Sequence, residues 1–111
     1  MTRVDPYSKQ APDRVEVDAM PGIVALEFGT DWCGFCQAAQ AVLQPALAAR
    51  ADVRHLRIED GPGRPLGRSF KVKLWPTLVV LRDGVEVSRR VRPGSREEVE
   101  AALEAAGPGM P

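Results

Sequence analysis

The chain has 111 residues, 44% hydrophobic and 27% charged, which suits one domain long enough for a hydrophobic core without covalent staples. Fifteen Lys and Arg offset fifteen Asp and Glu, so no net charge draws the chain to nucleic acid or to an anionic membrane. The longest apolar runs, "IVAL" and "TLVVL", fall far short of the ~18 residues of a membrane span, and the polar opening "MTRVDPYSKQ" lacks a secretory signal's apolar stretch; the expected compartment is the cytoplasm.

Residues 1–11 carry no clear period and are read as a poorly ordered N-terminal segment, 12–106 as the domain, and 107–111, "GPGMP", as a flexible tail. "PDRVEVDAM" sets Val15, Ala19 and Met20 on one helical face after a proline, with Asp13 near the start. "IVALEF", Ile23 to Phe28, is an apolar run broken by one carboxylate, the pattern of a strand covered on both faces. From Cys33 to about Arg50, Ala38, Val42, Ala46, Leu43 and Leu47 recur at helical spacing, with a kink expected at Pro45. "VRHLRI", Val53 to Ile58, alternates like a half-covered strand. "EDGPGRPLG" is turn chemistry leading into a short helical piece; it lacks the Lys-Ser/Thr ending of a phosphate loop. "TLVVLR", the turn pair Asp83-Gly84 and "VEVSRRV" make a hairpin, whose Arg89, Arg90 and Arg92 read as a solvated face. Ser95 and Glu98 form a capping box before a helix that turns Val99, Ala102 and Leu103 to one side. The order α, β, α, β, α, β, β, α implies an α/β fold, a central mixed sheet with helices on both faces.

The two cysteines, Cys33 and Cys36, stand in "TDWCGFCQ". A structural disulfide closing so small a loop would stabilise the fold little, and thiols stay reduced in the expected compartment. A structural zinc site wants four ligands, whereas the chain offers two cysteines and His55, which reads as a strand histidine. Redox chemistry fits the placement better. Cys33 falls in the first turn of a helix, where free amides and the helix dipole favour a thiolate; Cys36 lies one turn along on the same face, deeper and within reach. A C-x-x-C beside a βαβ pattern is itself a redox indicator.

"WCGFC" resembles the W-C-G-P-C active site of the thioredoxin family, "WPT" at Trp75–Thr77 resembles its cis-proline signature, and "RDG" the hairpin turn that follows. The resemblance runs from about Ile23 to Ala106 and implies a thioredoxin-like fold and a thiol–disulfide oxidoreductase without cofactor or metal, a protein disulfide reductase before an oxidase or isomerase. It makes Cys33 the nucleophile and Cys36 the resolving thiol, and puts Glu27 where the family has a buried acid that accepts the second thiol's proton. Burial in an apolar strand is expected to raise the Glu27 pKa, which suits proton transfer near neutral pH; the alternative is that Glu27 reaches the sheet edge and water.

On the same resemblance, substrate meets Trp32, Gly34, Phe35, Trp75, Pro76, Thr77 and Arg92, with Pro76 as the cis-proline. Partners implied are a client protein carrying a disulfide or thiol and a thioredoxin reductase or other dithiol donor, acting on a monomer. Four departures from the family pattern stand out: Phe35 for a proline, Gly29 for a second tryptophan, His55 for a lysine near the buried acid, and Arg92-Pro93 for a small flexible stretch. They leave open a second class of function, a thioredoxin-fold binding module that docks a partner with little redox turnover.

Overall fold

The computed structural model describes residues 5–109. Its elements are α1 (Arg14–Asp18), β1 (Ile23–Gly29), α2 (Gly34–Ala48), β2 (Val53–Glu59), α3 (Pro65–Ser69), β3 (Thr77–Arg82), β4 (Val85–Val91) and α4 (Arg96–Glu104), in the expected order. The strands lie side by side as β2-β1-β3-β4. β1 runs parallel to β2 and antiparallel to β3, and β3 and β4 form the antiparallel hairpin.

β1 is buried along its whole length because it is central and both its faces are covered. Side chains alternate between faces along a strand. Ile23 and Ala25, with Leu78 and Val80, pack on Leu43, Ala46, Val99 and Leu103 of α2 and α4. Val24, Leu26 and Phe28, with Val79 and Leu81, pack on Val17, Leu66 and Phe70 on the other side. The same alternation sends Glu27 and Gly29 to the α2 face, and this parity positions the site.

Helix starts follow the side-chain chemistry. Asp13 caps α1 in a reciprocal box with Glu16, and the Ser95 hydroxyl accepts the Glu98 N–H at 3.2 Å. Cys33 is the N-cap of α2 rather than its first helical residue, and the helix passes through Pro45 to end at Ala48. Val15 is 77% exposed while Val17 is buried. A five-residue helix makes little more than one turn, so spacing alone cannot choose its inner face; packing against Phe70 does.

The N-terminal segment departs most from expectation. Tyr7 is 4% exposed, and Ser8 pairs in parallel with Ile58, giving its N–H to Arg57 O and accepting the Glu59 N–H, both at 2.9 Å. Residues 7 and 8 are therefore tied to the outer edge of β2 rather than loosely held. At the other end the Gly109 N–H donates to Asp52. Residues 1–4, 110 and 111 of the two expected flexible ends lie outside the described residues. Among the described residues no helix is long and apolar enough to cross a membrane.

Candidate active site

β1 ends at Gly29, a short loop carries Thr30–Trp32, and α2 begins. Cys33 and Cys36 are both free thiols, buried against Tyr7 and half-buried Trp75. Trp32 and Phe35 flank them in the open, and Gly34 starts the helix between them, exposed. Across from the thiols the Trp75–Pro76 peptide is cis. Thr77 opens β3 and gives its hydroxyl to Leu74 O at 2.6 Å. The Trp75 indole meets Trp32 edge-on, centroids 5.9 Å apart, and donates its N–H to Asp60 at 2.8 Å.

Arg92 does not join the arginines of β4. It follows the strand with a left-handed φ of 50°, lays its guanidinium 3.8 Å over the Phe35 ring and donates from Nε to Trp75 O at 2.8 Å. The expected run of three solvated arginines thus divides: Arg89 pairs with Glu86, while Arg92 turns back over the site.

The two thiols differ electrostatically. Burial pushes the Cys33 thiol up, but a hydrogen bond from the Cys36 thiol, the first-turn amides of Cys36 and Phe35 and the Arg92 charge outweigh it, so its pKa is lowered. Burial, aided by the Cys33 sulfur, pushes Cys36 up to about 11. One sulfur is set to ionise and the other to stay protonated.

Behind Cys36 lies Glu27, fully buried. Its carboxylate accepts from the Tyr7 hydroxyl and from Gln40 Nε2 at 3.0 Å. His55 Nε2 lies 2.9 Å away, and the Arg57 guanidinium contributes bonds of 3.3 and 3.4 Å. Burial alone would raise its pKa, as the sequence implies, but His55, Tyr7, Arg57 and Gln40 together lower it from 4.5 to about 2. The expected raised pKa is therefore corrected, and so is the alternative of a side chain reaching water. An anion so well partnered is a poor proton acceptor near neutral pH.

Arg57, Gln40 and Tyr7 escape the sequence reading, which places His55 alone near the acid. Arg57 and His55 share one parity in "VRHLRI", and the parallel register setting Glu27 opposite Arg57 and Ala25 opposite His55 aims both at the carboxylate. Gln40 projects from α2, where it also donates to Cys36 O at 2.8 Å. Tyr7 comes from a segment with no periodicity to flag it. Gly29 makes room for it, since a Cβ there would stand 2.7 Å from Cys36 Sγ and 2.8 Å from the Tyr7 hydroxyl. A cavity of about 500 Å3 opens beside this group, with Tyr7, Thr30, Asp31, Cys36, Gln40 and Arg57 in its wall. Among the described residues no cluster of three or more His, Cys, Asp or Glu is arranged to hold a metal ion.

Comparison with known proteins bears on the same residues. The family model described as Thioredoxin matches residues 6–105. Thioredoxin from Chlamydia trachomatis is 35% identical over 71 residues, 63% of this chain and 69% of that protein. Thioredoxin H2-1 from Oryza sativa subsp. japonica is 28% identical over 81 residues, 73% of this chain but 58% of that protein, so the chain spans little more than half its length. Among solved structures, reduced thioredoxin 2 from Pseudomonas aeruginosa PAO1 is 57% identical, with a TM-score of 0.82 over 92% of this chain and 94% of that one. The fold is thioredoxin-like.

Proposed function

The chain belongs to the thioredoxin family, and from that premise we propose that it is a thiol–disulfide oxidoreductase cycling Cys33 and Cys36 against protein disulfides. The Cys33 thiolate attacks a client disulfide, joining one client sulfur and releasing the other as a thiolate. Cys36 then attacks Cys33, closing the Cys33–Cys36 disulfide and freeing the second client sulfur. A dithiol donor, a thioredoxin reductase or another, returns the pair to its reduced state. The reading extends to net reduction of clients by a monomer in the cytoplasm.

The observation that carries this reading is the asymmetry of the thiols: one at a helix start beside an arginine with its pKa lowered, the other buried and pushed up to about 11. The client is proposed to dock across Trp32, Gly34, Phe35, Trp75, Pro76, Thr77 and Arg92. Because Arg92 holds Trp75 O, a client strand that pairs there has to displace the guanidinium, and a client carboxylate would receive it. Glu27 enters as the anchor of Tyr7 and Gln40.

The test is reduction of insulin disulfides by a dithiol-driven chain, with alkylation of each cysteine followed separately. Cys33 should alkylate rapidly near neutral pH and Cys36 slowly, and Cys36→Ser should trap a client through Cys33 because the resolving thiol is gone. Equal alkylation rates, or trapping through Cys36, would reverse the assignment; client retention without insulin reduction would make the chain a docking module.

A further inference from the structure

We propose that Tyr7 is a positioning residue for the resolving step, its hydroxyl being the hydrogen-bond donor held ready for the Cys36 sulfur as that sulfur becomes a thiolate. The proposal rests on the dithiol reading above and assigns the step to a residue from outside the C-x-x-C segment. The hydroxyl and the Cys36 sulfur both crowd the point where a Cβ on Gly29 would sit, at 2.8 and 2.7 Å, so the two atoms are neighbours across a residue with no side chain. In the reduced chain the hydroxyl donates to Glu27, Gln40 Nε2 lies 3.4 Å from its oxygen, and the Arg57 guanidinium stacks 4.1 Å from the ring centroid. The Tyr7 N–H is fixed by Asp31 at 2.9 Å. The ring is thus held on several sides while the O–H can turn about its C–O bond.

Cys36 needs such a donor. It is fully buried, and a thiolate there forfeits hydration. Glu27 does not bond to it; the partners of the carboxylate are Tyr7, Gln40, His55 and Arg57. The cavity of about 500 Å3 has Cys36 and Tyr7 in its wall, together with Thr30, whose buried hydroxyl has no hydrogen-bond partner among the described residues. It gives the departing proton a route to solvent. The step then balances: Cys36 S–H gives its proton to water, its electron pair forms the Cys33–Cys36 bond, and the bond from Cys33 to the client sulfur breaks, the client leaving as a thiolate. Glu27 stays ionised throughout and serves to hold the phenol. The titratable and charged groups facing this pair are Cys33, Asp5, Asp31, Glu27, His55 and Arg57.

The aromatic disulfide DTNB separates the two steps, since attack by Cys33 releases one coloured thiolate and resolution by Cys36 releases the second. In stopped flow across pH 5–12, Tyr7→Phe should leave the first phase at the wild-type rate. It should slow the second by about tenfold near neutral pH, the loss of one hydrogen bond to a charged group, and move that phase's pH midpoint upward. Glu27→Gln should slow the second phase less than Tyr7→Phe does. A Tyr7→Phe second phase matching wild type in rate and midpoint would overturn the proposal, as would a lowered melting temperature with no shift of the midpoint. A second phase lost in Glu27→Gln but kept in Tyr7→Phe would overturn it too, giving the step to the carboxylate. A wild-type chain that releases one thiolate and stops would instead overturn the dithiol reading itself.

Discussion

Glu27 makes a quantitative demand on the stability of the molecule. Its carboxyl group is held at about 2 in the folded chain against a reference of 4.5, a difference worth about 3 kcal/mol at roughly 1.4 kcal/mol per tenfold change in proton affinity. Because the folded value is the lower one, that stabilisation is complete above pH 4.5. It drains away as acid protonates the unfolded chain first, and it is gone near pH 2. Glu27→Gln keeps the shape and removes the charge, and leaves the Arg57 guanidinium, its side chain only 10% exposed, without its carboxylate. Urea unfolding of both proteins from pH 7 down to pH 2 is the assay. At pH 7 the variant should be weaker by about 3 kcal/mol, a midpoint lower by about 2 M urea for a chain of this size. The two curves should then converge as pH falls. Asp52 and Glu86 also sit below their usual values beside Arg50 and Arg89, but both proteins share them, so the difference isolates Glu27. Parallel curves would refute the reasoning. A variant more stable than wild type at pH 7, with the gap closing as pH falls, would restore the raised pKa that burial alone implies.

Two further outcomes concern the docking face. Arg92→Ala should raise the pKa of Cys33, because the Arg92 charge is one of the groups that lower it; iodoacetamide rates against pH should show the rise at low salt and its loss at high salt. Trp75→Ile combined with Arg92→Gly should increase turnover with a general thioredoxin reductase, because it removes the indole and the guanidinium stacked on Phe35; wild-type turnover equal to that of an ordinary thioredoxin would show the surface to be unselective.

The elements were legible because each has its own period or cap. Leu26 and Phe28 mark a covered strand, Asp83-Gly84 a hairpin, Ser95 a helix start. The cysteine pair was legible from spacing and from its place after β1, and Glu27 from standing as a carboxylate among apolar neighbours. What the pattern could not supply was the sign of the Glu27 shift. That sign depends on which residues of β2 face it, and a register slip of one residue would turn His55 and Arg57 to the other face. Tyr7 was illegible for another reason. Its partners lie 20 and 33 positions away, and neither alternation nor helical spacing reports a contact of that kind. By charge pattern alone Arg92 reads as one more strand arginine; the resemblance puts it at the docking face, and its left-handed backbone is what turns it toward Phe35.

The pairing of Ser8 with Ile58 has a consequence for hydrogen exchange. Among the described residues two backbone bonds tie this segment to β2, Ser8 N–H to Arg57 O and Glu59 N–H to Ser8 O, at the outer edge of the sheet, whereas β1 is paired on both sides. Edge segments with so few bonds open sub-globally, at a free-energy cost below that of unfolding. The amides of Ser8 and Glu59 therefore exchange with solvent sooner than those of Leu26 or Val79, and an opening that also breaks the Tyr7 bonds to Asp31 and Glu27 carries the ring away while the cysteines keep their helix. The opening free energy of a short peripheral segment thus sets how much of the time the molecule holds a complete site.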